Sequence, residues 1–411
     1  MTDAADGDTP TAAFDPSGVA GSLTGIRVVD LTTNVAGPWA TLILAELGAD
    51  VVKIERESGD DTRSWGPPFW GDGEEGTTYS SLNRGKRSVV ADLRSDEGRR
   101  LLDALIADAD VLVQNMRPGS LERLGYGAER LRREHPRLVY ADLSGFGHRG
   151  PRREEPAYDP LMQAYSGLMS LIGEDGQPPA RVPVSALDMG TGMWTVIAVL
   201  DALRTRDVTG EGAHLQLSLL ETALSWMPFQ ILSHLASGRM PPRQGSGTPG
   251  IAPYQAFETG DGHLVIAAGN QRLWESLCTA LERPDLASDP RYADNASRVR
   301  HRDELVDELT AILRTRSTSE WFEALQAVGV PCSPLNTIDT VVEDEQVQAT
   351  GAIQRFAHPT GGHDYAIIRL PISVDGQRHR LQRLAPRLGE HTDEVRAELG
   401  LDTPGPAPEG G

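Results

Sequence analysis

Residues 25–54 spell out a strand, a helix and a second strand in quick succession. Gly25-Ile26-Arg27-Val28-Val29-Asp30-Leu31 is a short β-branched run, and a loop from Thr32 to Gly37 follows it. Pro38 to Leu47 has helical character, with Pro38 suited to a first turn and Gly48 to an end. Ala49-Asp50-Val51-Val52-Lys53-Ile54 reads as the next strand. Two strands joined through a helix must run parallel, so the unit commits the chain to a parallel sheet with helices on its faces.

The alternation continues. Arg87 to Ala91, Asp110 to Gln114 and Leu138 to Leu143 are strand-like, and Asp96 to Ala107 carries helical spacing at Leu101, Leu102, Leu105 and Ile106. The pattern predicts a Rossmann-like, doubly wound parallel α/β domain over residues 25–215. Within it, Gly192 to Arg206 reads as a strongly apolar helix. Residues 216–250 read as a connection: a long helix over Leu219 to Leu235, then a Pro/Gly-rich stretch from Gly238 to Gly250. Residues 251–345 predict a smaller α+β domain, with a hairpin from Gln255 to Ala267 turning at Asp261-Gly262. A short helix capped by Thr392 closes at Gly400. Residues 1–24 read as a mobile leader and 402–411 as a disordered tail.

Composition narrows the function classes. The net charge of −20 excludes a general nucleic-acid or membrane-surface binder, and Lys53 and Lys86 are the only lysines among 39 basic residues. Cys278 and Cys332 are the only cysteines, so two free thiols are expected rather than a disulfide framework. No apolar run approaches the roughly 18 residues that span a bilayer. The start lacks a basic head, with Arg27 as its first basic residue, so a cytoplasmic protein is expected. No G-x-G-x-x-G follows the first strand, and no P-loop, H-E-x-x-H or G-x-S-x-G is present.

What remains is a strand-end crevice. Small residues at Asn34-Val35-Ala36-Gly37 let a ligand approach backbone amides at a helix start, although the same residues also make a plain tight turn. Arg56, Arg94, Arg117 and Arg123 follow successive strands and would suit an anionic ligand if they converge. Asp188 stands ahead of the apolar helix with Gly190 and Gly192 beside it; it reads as a helix cap, or as a carboxylate held ionised by the helix start and able to attack a thioester, with room left by the glycines for a bulky substrate. Tyr158 and Asp159 sit in a proline-flanked loop, Asp159 reading as a cap.

Several ordered motifs carry a resemblance. Asp30-Leu31-Thr32 through Ala36-Gly37-Pro38, Leu47 to Glu55, Asn83-Arg84-Gly85-Lys86-Arg87-Ser88, Asn115 to Gly119, Gly145-Phe146-Gly147, Gly329-Val330-Pro331-Cys332 and Leu388-Gly389-Glu390-His391-Thr392 resemble the family III coenzyme A-transferases, over nearly the whole chain. The resemblance implies a CoA-transferase acting on an acyl-CoA donor and a carboxylic acid acceptor, with CoA as part of the substrate and no metal. It implies Asp188 as the catalytic carboxylate, passing through a mixed anhydride and an aspartyl-CoA thioester, with Tyr158 and Asp159 in the active site. CoA contacts would come from Val35, Ala36, Arg56, Ala91, Asp92, Leu93, Arg94, Asn115, Met116, Arg117 and Arg123. It also implies an interlocked homodimer and a return of residues 346–401 to the first domain.

Departures sharpen these expectations. Val35 replaces a glutamine of formyl-CoA transferases, and Arg243 to Pro249 lacks their run of glycines, which speaks against formyl transfer to oxalate. The related α-methylacyl-CoA racemases are the alternative, but Tyr158 stands at their histidine position and Asn270 near a glutamate of a bacterial member. Tyrosine is a poor base at neutral pH. A CoA-binding protein with a defunct centre is the non-enzymatic alternative, opposed by the presence of Asp188.

Overall fold

Six strands form one parallel sheet: β1 (Arg27–Leu31), β2 (Asp50–Glu55), β3 (Arg87–Val90), β4 (Val111–Gln114), β5 (Val139–Ser144) and β6 (His214–Ser218). Their order across the sheet is β3-β2-β1-β4-β5-β6, every pair parallel. Side chains alternate between the faces with period two, and the core divides accordingly. Val28, Val51, Val111, Val113 and Val139 belong to one buried cluster, while Val29, Val52, Leu112, Leu138 and Tyr140 belong to another. Both faces are covered, which is why these strands read as continuous apolar runs rather than alternating ones.

The first cluster takes in α1 (Ala36–Glu46), and the second takes in α2 (Asp96–Ala107). Three more helices matter for the site: α3 (Asp159–Tyr165), α4 (Ala186–Thr209) and α5 (Leu219–Trp226). Helix α4 packs along α1, bringing Val196, Val199 and Leu203 into the first cluster. The approach is close: a Cβ on Gly192 would lie 2.7 Å from the Ala36 carbonyl oxygen, and one on Gly190 would lie 2.2 Å from the Trp226 ring. The space beside these glycines is therefore filled by α1 and α5, not left for substrate.

The computed structural model describes residues 14–71, 73, 75–243, 245–359 and 362–401. Two compact units emerge. Among the described residues, one gathers 14–166, 182–228 and 348–401, and the other gathers 167–181 and 229–347. Residues 167–181 thus leave the expected large domain for the second unit. The second unit carries an antiparallel sheet of β7 (Tyr254–Glu258), β8 (His263–Ala267) and β9 (Cys332–Pro334), with β8 central. Its core holds Trp274, Leu309 and Trp321, and both cysteines are free.

Several sequence expectations are corrected. The part of the leader that is described packs on the first unit: Leu23 is buried, its N–H donates to the Leu47 carbonyl, and Val19 bridges to His379. Residues 1–13 and 402–411, read as leader and tail, lie outside the described residues. Strand β6 has no counterpart in the sequence reading, because His214-Leu215-Gln216-Leu217-Ser218 is an edge strand with only two of its five positions apolar. The helix expected over Leu219–Leu235 breaks at Met227, since Pro228 has no N–H to continue the ladder. Helix α4 starts six residues before Gly192. It has the length and apolar content to cross a membrane, yet ten of its residues are buried in the first unit, as in a core helix. Near the end, His391 rather than Thr392 occupies the cap of the helix Thr392–Glu398, and the Thr392 hydroxyl instead accepts from the Val90 N–H.

Candidate active site

The earlier start of α4 changes what Asp188 is. It sits in the first turn, as the third helical residue, and its side chain caps nothing. The cap comes from another helix. Asp159, 2% exposed at the start of α3, accepts through Oδ2 from the N–H groups of Leu187 at 2.7 Å and Asp188 at 3.1 Å. Asp159 therefore caps α4, not the helix it begins, and occupies the amides expected to keep Asp188 ionised. Burial pushes the Asp188 carboxyl up, and the neighbouring Asp159 charge adds to it, from 3.8 to about 7. No hydrogen bond or ion pair reaches the Asp188 carboxylate among the described residues.

Asp188 opens into a cleft of about 300 Å³ in the first unit. Val35, Ala36, Asn115, Met116, Arg117 and Tyr158 line it with Asp188, as do Trp65, Glu155, Leu143 and Leu219. Thr33 and Met116 also line a larger cleft of about 610 Å³ at the strand ends of β1, β2 and β3, with Arg56, Ala91, Asp92, Leu93 and Arg94. Shared walls make the two clefts neighbours, one carrying the Asp188 carboxylate and the other a broad strand-end crevice of the kind that holds nucleotides in doubly wound sheets.

Ten of the eleven expected CoA contacts line these clefts. The exception is Arg123, whose guanidinium donates to the Ser120 hydroxyl at 3.0 Å. Arg56 lines the larger cleft but is tied to its own loop, through the Gly59 carbonyl and an ion pair with Asp61. Arg94 and Arg117 have guanidinium groups without partners among the described residues. Asn115 clasps the backbone of Thr33, donating to its carbonyl at 2.8 Å and accepting from its N–H at 2.9 Å. Tyr158 is 58% exposed. Asn270, in the second unit, caps a helix by accepting from Leu273 N–H.

A buried ionic cluster fixes the loop between the clefts. Lys53 and Lys86 are both fully buried. Lys53 Nζ donates to the Thr32 carbonyl at 2.7 Å and to Asp60 at 2.9 Å. Lys86 Nζ donates to Asp30 at 3.1 Å, the Pro38 carbonyl at 2.9 Å and Asn83 at 2.8 Å. Asp30 also accepts from Thr32 and Thr41. Burial would raise the Asp30 carboxyl, but Lys86 and Lys53 overcome it and hold it at about 2. Burial lowers Lys86 to about 8 against the pull of Asp30. The sequence signal was available: a chain that uses arginine everywhere else keeps lysine at two buried positions, where a compact ammonium with three donors fits.

Comparison with known proteins now bears on this geometry. Residues 23–392 match the family described as CoA-transferase family III. The chain belongs to CoA-transferase family III. A succinate–glutarate CoA-transferase of Agrobacterium fabrum is 39% identical over 92% of this chain and 95% of its own. A succinyl-CoA:mesaconate CoA-transferase of Haloarcula hispanica is 35% identical over 93% of this chain and 98% of its own. The crystal structure of a CAIB/BAIF family protein from Brucella suis superposes with a TM-score of 0.84, at 38% identity over 93% of this chain and 100% of that one. As a family III member the protein is an enzyme of CoA transfer, so its substrates are a CoA thioester and a carboxylic acid. The residues missed from sequence are Trp65 and Glu155 in the cleft wall, and the Lys53–Lys86 cluster beneath it.

Proposed function

We propose that Asp188 is the nucleophile of a CoA exchange between short dicarboxylic acids. The observation that carries this reading is a carboxylate without a partner in a cleft wall, pushed to about 7 by burial and Asp159. Such a group is about half ionised at neutral pH and more basic than an ordinary carboxylate, which suits a nucleophile that must form and then leave. The ionised Asp188 attacks the thioester carbonyl, the C–S bond breaks, and CoA leaves as thiolate from a mixed anhydride. The thiolate attacks the aspartyl carbonyl, releasing the donor acid as carboxylate and leaving an aspartyl-CoA thioester. The acceptor carboxylate attacks that thioester, and the returning thiolate takes the acceptor's acyl carbonyl, restoring Asp188. No proton is consumed over the cycle.

The crevice with Arg94 and Arg56 suits the anionic end of CoA, and the smaller cleft suits a short acyl chain. Succinyl-CoA as donor and glutarate as acceptor are the first pair to examine, given what the relatives are named for. We further read the protein as a cytoplasmic homodimer; exposed Met193, Trp194 and Ile197 along α4 support association, and light scattering at twice the chain mass is its check. The mechanism is tested by mass spectrometry after incubation with succinyl-CoA. An adduct on the Asp188 peptide, lost on hydroxylamine treatment and absent from Asp188→Ala, is expected. Exchange of the α-hydrogen for deuterium without any adduct would favour a racemase instead.

A further inference from the structure

We propose that Gln163 is a positioning residue for Asp188, holding the start of α4 from two sides at once. Gln163 lies on α3 and is fully buried. Its Nε2 donates to Asp159 Oδ1 at 2.6 Å and to the Val182 carbonyl at 3.2 Å, and its Oε1 accepts from the Val182 N–H at 2.9 Å. Both amide hydrogens and the amide oxygen are therefore used, and each atom faces the only kind of partner it can take.

The two routes converge on one carboxylate. Through Asp159, whose other oxygen takes the Leu187 and Asp188 N–H groups, Gln163 orients the cap that fixes the first turn of α4. Through Val182, it anchors the backbone where the chain re-enters the first unit, six residues ahead of Asp188. A buried side chain that clamps both the cap and the incoming segment leaves Asp188 little freedom to drift from its attack position. The inference rests on the reading of Asp188 as nucleophile, and Gln163 itself lines neither cleft.

The test replaces Gln163 with Met, which keeps bulk and removes donor and acceptor. We expect kcat for succinyl-CoA and glutarate to fall about 10- to 100-fold, the scale for losing alignment of a reacting group. KM for the CoA thioester should stay within about threefold, since the larger cleft is untouched. The midpoint of the acid limb of kcat should also move to lower pH, because Asp159, short of a donor, no longer sits fixed beside Asp188. The other ionisable groups lining the cleft with Asp188 are Arg117, Glu155 and Tyr158, and none is hydrogen-bonded to Gln163. Gln163→Glu is the second variant, isosteric and keeping the acceptor. Its rate relative to the unsubstituted enzyme should rise as pH falls, since a protonated Glu restores the donor to Asp159. Unchanged kcat and midpoint in either variant, with CoA binding intact, would overturn the proposal. Should Gln163→Met fail to bind CoA, the pH trend of Gln163→Glu decides alone. The unsubstituted enzyme is assayed for the hydroxylamine-sensitive adduct in parallel; its absence there removes the Asp188 reading, whereas its presence with indifferent Gln163 variants removes only the present inference.

Discussion

Replacing Asp188 with Asn should abolish transfer and at the same time stabilise the protein, in a pH-dependent way. A carboxyl raised from 3.8 to about 7 binds its proton more tightly in the folded chain than in the unfolded one. Below pH 4 both states are protonated and the group costs nothing. As pH rises through the window from 4 to 7 the unfolded chain ionises first, so folding stability is lost, and above 7 the full cost persists. At ~1.4 kcal/mol for each tenfold in proton affinity, the full cost above pH 7 is about 4 kcal/mol. Asn is isosteric and uncharged, and it keeps the backbone N–H that donates to Asp159. Its advantage over Asp should grow by ~2 kcal/mol between pH 5.5 and pH 8, because about half of the effect has accrued at the lower pH. Paired thermal melts across that range would show the Tm gap widening by a few degrees. A gap that is constant with pH, or an Asn variant that melts lower at pH 8, refutes the claim that burial and Asp159 destabilise the ionised form.

Two further perturbations separate the parts of the site. Lys86→Met strands Asp30 in a fully buried position and should cost ~3–5 kcal/mol, read as a large fall in Tm, while a surface Arg→Met control does little. Arg94→Ala should weaken CoA binding about tenfold by calorimetry, whereas Arg123→Ala, whose side chain turns to Ser120, should leave it unchanged; equal losses would mean that the larger cleft is not the CoA site.

The sheet was legible because burial on both faces imposes an apolar run that no loop imitates, and β1 through β5 stand out on that ground. Edge strand β6 was not, since exposure on one side lets polar residues in. Asp188 was singled out as the candidate carboxylate chiefly through the family motifs, and its environment was not legible at all. Nothing about Asp159 in the sequence says that it caps a helix starting 27 residues further on, because a cap across two helices depends on their packing rather than on local spacing. The same holds for Gln163, whose partners are set by where the chain re-enters at Val182. Arginine convergence was overread for a related reason: strand ends converge, but a long side chain such as Arg123 goes to whichever partner lies nearest.

Asp159 and Asp188 stand at the start of α4, and helix α1, which packs on α4, is itself held by buried ionic structure. Two carboxylates at one helix start repel, and a free helix start would relieve this by fraying the first turn. Here fraying is blocked from several directions. Asp159 is held by Gln163, and Gly192 is packed on the Ala36 carbonyl. The start of α1 is itself pinned through the Pro38 carbonyl by Lys86, and the loop before it through Thr32 by Lys53. Lys86 uses all three of its donors and Lys53 uses two, so the desolvation of each ammonium is offset by specific partners, and the cluster gives geometry rather than net stability. Loosening it should therefore act on Asp188 at a distance: in a Lys53→Met enzyme stabilised enough to fold, kcat should fall more than CoA affinity, because the loop shared by both clefts moves while the crevice arginines stay in place. A Lys53→Met enzyme that lost CoA affinity but kept kcat would show that the cluster serves the crevice and not the nucleophile.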